Sequence, residues 1–181
     1  METTAVKTNW SVDPTHSEVQ FKVKHLVIST VTGQFKEFSA TLESEGENFE
    51  HAKATFSAQI DSITTNNNDR DGHLKSADFF DAANHPSLDF VSEKFLKTGD
   101  STYDIIGNLS IRGVSKEIVL KAEFGGIMTD PYGNTKAGFE IAGKINRKDY
   151  GLNWSAVTEA GGVVVSDEVR LLLNLQFVKQ A

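Results

Sequence analysis

Asp13, His16 and Ser17 bring an acid, an imidazole and a hydroxyl into one short segment, and these are the residue types of a hydrolytic triad. Asp13 and His16 alone have the chemistry of an acid–base pair in a small hydrolase or isomerase. The spacing works against a nucleophile. Consecutive residues on a strand face opposite sides, which keeps Ser17 from His16 if the segment is extended. Ser17 also lacks a Gly-x-Ser-x-Gly elbow.

The stretch from Asn67 to Asp78 spells much of a calcium loop. Asn67, Asp69 and Asp71 fall at ligand positions one, three and five, with Gly72 at six, Leu74 at eight and Asp78 at twelve. Against this, Asp is usual at the first position and a bidentate Glu at the last, and Arg70 and Lys75 put positive charge among the ligands. The residues before it, Ala54 to Ile60, alternate like a strand rather than an entering helix. The expected structure is a capped helix start, with Asn68 or Asp69 as the cap. A calcium-binding module through residues 67–78 stands as the alternative.

Gly138 to Lys144 resembles a phosphate loop, but Ile145 stands where Ser or Thr must bind magnesium, and the segment alternates like a strand. His16, His25, His51, His73 and His85 show no zinc-type spacing. With no cysteine, disulfides, thiol catalysis and Cys-ligated metals are excluded. No metal, cofactor or catalytic residue is expected, and the chain is read as a non-enzyme.

The elements that must carry these residues are strands. Val19, Phe21 and Val23 alternate with polar neighbours, and His25 continues their face. The same period of two runs through Phe38-Ala40-Leu42, Ala54-Phe56-Ala58-Ile60, Leu88-Phe90, Tyr103 to Ile111, Ile118 to Phe124, Phe139 to Ile145 and Val169 to Phe177. Asp130-Pro131-Tyr132-Gly133-Asn134 and Arg112-Gly113 supply turn chemistry between runs, so each strand pairs with its predecessor. Residues 66–84 break the alternation and read as a short helix or two around Leu74, Phe79 and Phe80. Long strands favour closure, because a barrel leaves no exposed edge. Gly107 and Gly143 fall on apolar faces, where each either leaves space inside or marks a bend.

The 181 residues carry 18 Lys+Arg and 25 Asp+Glu, for a net charge of −7. That balance disfavours nucleic acid and general adhesion to anionic membranes. Hydrophobic residues at 39% support one packed core, and no linker divides it. The expected organisation is a tail over residues 1–9 and one domain over residues 10–181. No apolar run is long enough for an integral membrane segment. METTAVKTNW shows no secretory signal, so a cytoplasmic location is expected.

Four blocks, in order, carry a specific resemblance: WSVDPTHSEVQFKVKHLVISTVTGQFKEFSATL from Trp10, DSITTNNNDRDGHLKSADFFDAANHPSLDFVS from Asp61, GNLSIRGVSKEIVL from Gly107 and INRKDYGLNW from Ile145. Asp-Pro-x-His-Ser, Arg-Asp-x-His-Leu and Leu-x-Ile-Arg-Gly-Val-x-Lys occur together. The chain resembles the YceI-like, polyisoprenoid-binding family over nearly its whole length. The resemblance implies an all-β fold, an eight-stranded antiparallel lipocalin-like barrel with a short helical insertion near one end. It also implies a cavity for a long-chain lipid such as a polyisoprenoid or fatty amide, and a homodimer.

On that reading the inward faces form the ligand wall: Val19, Phe21, Val23, Phe38, Phe56, Phe90, Leu109, Ile111, Phe139, Ile141 and Leu173. Leu74, Phe79 and Phe80 on the insertion cover part of the tail. A polar head group needs partners at the mouth, and the candidates are Arg70, Asp71, His73 and His16.

Overall fold

A computed structural model describes residues 6–26, 28–154 and 165–180. Each alternating run becomes a strand: β1 (Lys7–Val12), β2 (Glu18–His25), β3 (Ser29–Phe35), β4 (Phe38–Glu45), β5 (Asn48–Gln59), β6 (Ile63–Thr64), β7 (Ser87–Lys97), β8 (Thr102–Ile111), β9 (Val114–Thr129), β10 (Thr135–Asn146) and β11 (Val165–Lys179). One helix, α1 (Asn68–Lys75), lies between β6 and β7. All the strand pairings are antiparallel.

The first six strands are three lines, each broken once. β1 and β2 are separated by a turn at Pro14–His16, where proline has no N–H to donate and the Asp13 carboxylate accepts from Thr15 N at 3.0 Å. β3 runs on into β4, and β5 into β6. Counted as lines, eight strands form a closed up-and-down barrel, sealed where β11 pairs with β1 at one end and with β2 at the other. Thr8 and Trp10 point inward from β1, and Lys7 already pairs with Glu45. Residues 7–9 are therefore part of the wall, a correction to the expected tail.

Local chemistry sets the turns. Arg112 and Gly113 both have positive φ, 51° and 75°, the form that joins right-twisted strands in two residues. Between β9 and β10 the Asp130 carboxylate accepts from Tyr132 N and Asn134 N, both at 2.9 Å. Phe124 faces Phe139 while Gly126 faces Gly138, so Gly125 is an extra residue that bulges β9 at the closed end.

The two ends of the interior differ. At the end bearing the β4–β5 hairpin, aromatic rings fill the bore. Phe49 lies 5.5 Å from Trp10 and 5.1 Å from both Phe124 and Phe139, and Phe139 also meets Phe95 at 6.2 Å and Phe177 at 6.1 Å. The Trp10 indole is satisfied by donating to Ser44 Oγ at 2.9 Å. Beside Gly107 the Val91 carbonyl, the Ser92 backbone and the Phe90 ring close in, and beside Gly143 the Leu120 side chain does, so neither glycine leaves space in the bore. Phe21 lies across Gly33, its cross-strand partner, in the same way.

Candidate functional site

Toward the other end the bore opens. Above Phe139 lies an inner chamber of about 110 Å³, with no charged side chain on its wall. It leads into an outer chamber of about 430 Å³ at the mouth, and Phe21, Phe35, Leu88, Ile111, Ile145 and Leu171 border both. The outer volume falls in the ~300–1,000 Å³ range of small-molecule pockets.

The structure places the wall residues at different heights. Val19, Phe56, Phe90, Leu109, Ile141 and Leu173 line the inner chamber, with Phe139 at its floor. Phe21 and Ile111 span both chambers, and Val23 lines only the outer one. Phe38 borders neither; it stacks on Phe56 with ring centroids 6.3 Å apart. Leu74, Phe79 and Phe80 come from the insertion and roof the outer chamber. Phe79 lies 5.5 Å from Trp154, and Phe80 lies 6.3 Å edge-on to Phe35.

The insertion is held by a polar knot. Thr65, buried, donates its Oγ1–H to Asp71 Oδ1 at 2.6 Å and its N–H to the same oxygen at 2.8 Å. Arg70 returns to Thr65, Nε to Oγ1 and Nη2 to the carbonyl, both at 2.7 Å. Asp71 is thus committed to Thr65 and does not line the chamber, whereas Arg70 and His73 do. His73 donates from Nε2 to Asp78 at 2.8 Å and stands edge-on to Trp154 at 4.8 Å.

The calcium-like spelling is a helix. Asn67, one residue earlier than expected, is its N-cap and accepts from Arg70 N at 3.0 Å. Successive ligands of a calcium loop would be wrapped around an ion, but here Asp69 and Asp71 lie on a helix. Among the described residues no three acidic or imidazole groups converge on one point.

His16 is separated from the mouth. Because β1 and β2 are halves of one line, the start of β2 lies partway along the barrel wall and not at its rim. The His16 side chain is 62% exposed and faces an outer groove with Glu123 and Glu140. Asp13 accepts from His16 Nδ1 at 2.8 Å, and a Thr15 hydroxyl bond, followed by that imidazole, holds the carboxyl down at about 2. Ser17 is buried and its hydroxyl accepts from Gln176 N at 2.9 Å.

Arg147 received no role from the sequence. It is buried, borders the outer chamber, and donates to the carbonyls of Leu152 at 2.6 Å, Trp154 at 2.7 Å and Ser166 at 3.0 Å. Burial lowers its pKa, against the pull of Asp167. A lone arginine at a strand end looks like a solvated residue, and the signal for it was Gly151 nearby, whose φ of 77° folds residues 147–152 back under the guanidinium. Lys24 and His25 also border the mouth. No helix among the described residues is long and apolar enough to cross a membrane.

Comparisons with known proteins agree with this geometry. Residues 10–177 match the model of the YceI-like domain. A UPF0312 protein of Staphylococcus epidermidis is 35% identical over 171 residues, covering 94% of this chain and 97% of that protein. The crystal structure of the Campylobacter jejuni YCEI protein is 36% identical, with a TM-score of 0.76 over 88% of this chain and 91% of that one. Two further structures share the fold at lower identity. Burkholderia cenocepacia BcnA has a TM-score of 0.80 at 21% identity, over 91% of this chain and 98% of that one. A polyisoprenoid binding domain from Saccharophagus degradans has a TM-score of 0.69 at 18%, over 94% and 98%.

Proposed function

The chain belongs to the YceI-like family, and from that premise we propose that its barrel binds one long-chain lipid, such as a polyisoprenoid or fatty amide, without covalent chemistry. The observation that carries this is the half-empty bore: aromatic rings fill one end, an apolar shaft lies above them, and a roofed chamber forms the mouth. The fold shared with a domain described as polyisoprenoid binding supports the same reading.

The tail enters the shaft, and its end meets Phe139. Each methylene removed from water contributes about 0.8 kcal/mol, roughly fourfold in affinity. Losing the free motion of the ligand costs ~4 kcal/mol or more, so a chain of about 15 carbons still binds tightly with no ionic clamp. The head group stays at the mouth, where Arg70 and Lys24 offer hydrogen-bond donors and His73 its second ring nitrogen.

Native mass spectrometry of the protein purified from its own cells tests the reading. The expected result is a co-purified mass of a long-chain lipid, lost on delipidation and restored by a polyisoprenol or fatty amide. A protein that arrives empty and takes up neither sinks it.

A further inference from the structure

A lipid in this barrel must leave through the rim. Leu26 and Ile28 lie one and three residues beyond His25, which borders the mouth, and they are 40% and 86% exposed between β2 and β3. Leu26 also has a φ of +54°, a conformation that a leucine rarely adopts. The tight turn accounts for that φ, as it does at Arg112, but an outward apolar tip gains nothing from water, and exposed apolar residues set together at a rim mark contact with another phase or partner.

Behind the tip lies a row of cations. On the outward faces of β10, β11 and β2, Lys144 pairs with Arg170 and Arg170 pairs with Lys22. Like charges set side by side across a sheet repel. Glu168 reaches Arg170 at 3.7 Å, while among the described residues no carboxylate pairs with Lys22 or Lys144. Exposed Lys24 stands between the row and the tip. At about 3.3 Å per strand residue, Lys24 lies ~7 Å and Lys22 ~13 Å behind Leu26. Glu43, Glu45, Glu47 and Glu50 lie at the opposite, closed end.

We infer that this rim docks on an anionic lipid bilayer, with Leu26 and Ile28 entering the interface and Lys24, Lys22, Arg170 and Lys144 meeting headgroup phosphates. The inference rests on the lipid-binding reading and adds where the lipid is exchanged. Apolar groups at an interface sink about 5–10 Å, which brings Lys24 and then Lys22 to the headgroup layer. Asp69, Asp78 and Asp167 also lie at the mouth end, so the attraction is local to the cation row and the apolar tip and works against the net charge of −7. Two tip residues bury far less than the ~800 Å² per partner of a stable protein complex, which favours a bilayer over a second copy or another protein.

The experiment is co-sedimentation with vesicles of phosphatidylcholine, with and without phosphatidylglycerol, alongside uptake of cis-parinaric acid added from ethanol. The native sequence should bind the phosphatidylglycerol vesicles, release them as salt rises, and ignore phosphatidylcholine alone. Ile28→Asp and the triple variant Lys22→Glu, Lys144→Glu, Arg170→Glu should each lose at least about tenfold in vesicle binding and keep full uptake of the probe. Uptake without binding to anionic vesicles overturns the docking alone. No uptake by the native sequence overturns the lipid-binding reading and the docking with it. Vesicle binding unchanged in Ile28→Asp, or a fall in oligomeric mass in that variant, also overturns the docking.

Discussion

One carboxylate oxygen of Asp71 accepts both the backbone N–H and the hydroxyl of Thr65, at 2.8 and 2.6 Å, and both residues are buried. This contact ties α1 to the end of β6 and so sets the roof of the mouth. Asp71→Ala leaves two buried donors unsatisfied and should cost about 1–3 kcal/mol in urea denaturation. A bound chain probe should also dissociate faster, because Leu74 lies in α1 and Phe80 just beyond it. Unchanged dissociation in the destabilised variant would separate the roof from ligand retention.

Leu173 borders the inner chamber on a strand face it shares with Val169 and Leu171. Leu173→Trp places a larger ring in a space of about 110 Å³. In the native sequence, affinity across a series of fatty acids should rise about fourfold per methylene, then level off when the tail reaches Phe139. In the variant the plateau should come at shorter chains. Calorimetric titration of the series checks both slopes. Identical plateaus would place the tail elsewhere.

The period of two gives the inward faces of the runs it covers, though not those of β1 and β3 or of Phe49 and Phe95 beyond the register shifts, and height along the bore is not written in that period. Phe139 and Ile141 stand two residues apart on one face and look equivalent in the sequence. In the structure Phe139 is buried in the aromatic floor and Ile141 is only half-buried on the chamber wall. What separates them is the stagger of neighbouring strands, which local spacing does not contain. His16 is expected at the mouth for the related reason that one long line, broken at Pro14, reads as two separate strands. Thr65 went unnoticed because its role depends on residues of α1 that fold back onto it.

Arg147 donates to four carbonyls around the mouth, those of Leu152, Trp154, Val165 and Ser166, from a site that is 3% exposed. Arg147→Met keeps most of the volume and strands those carbonyls, so a loss of about 3 kcal/mol or more is expected. Arg147→Lys should recover little, because an ammonium cannot spread its donors as the guanidinium fork does. Thermal unfolding of both variants decides it, and full recovery by lysine would show that charge alone matters.

Tyr150 presents the opposite case. It is 1% exposed, its hydroxyl has no partner among the described residues, and burial pushes its pKa up to about 12. Tyr150→Phe removes an unsatisfied group and keeps the ring, so stability should be unchanged or higher by up to about 1 kcal/mol. A loss beyond about 1 kcal/mol in denaturant would mean that the hydroxyl is bonded in solution.

Asp13 links the fold to pH. The Thr15 hydroxyl and then the His16 imidazole stabilise its ionised form, which brings the folded pKa from 3.8 to about 2. A depressed carboxyl pKa means that the folded state holds its proton less readily than the unfolded chain does. Its contribution is therefore complete above about pH 4 and drains away as pH falls through about 2. With the side chain 19% exposed, that contribution is on the order of 1–2 kcal/mol. Asp13→Asn should lower stability by this amount at pH 7 and flatten the fall between about pH 4 and pH 2, as read by urea denaturation across that window. Lipid uptake should not change, because the His16 pair faces the outer groove and not the chamber. Turnover of an ester or isoprenoid substrate that vanishes in this variant would instead restore Asp13 and His16 as an acid–base pair.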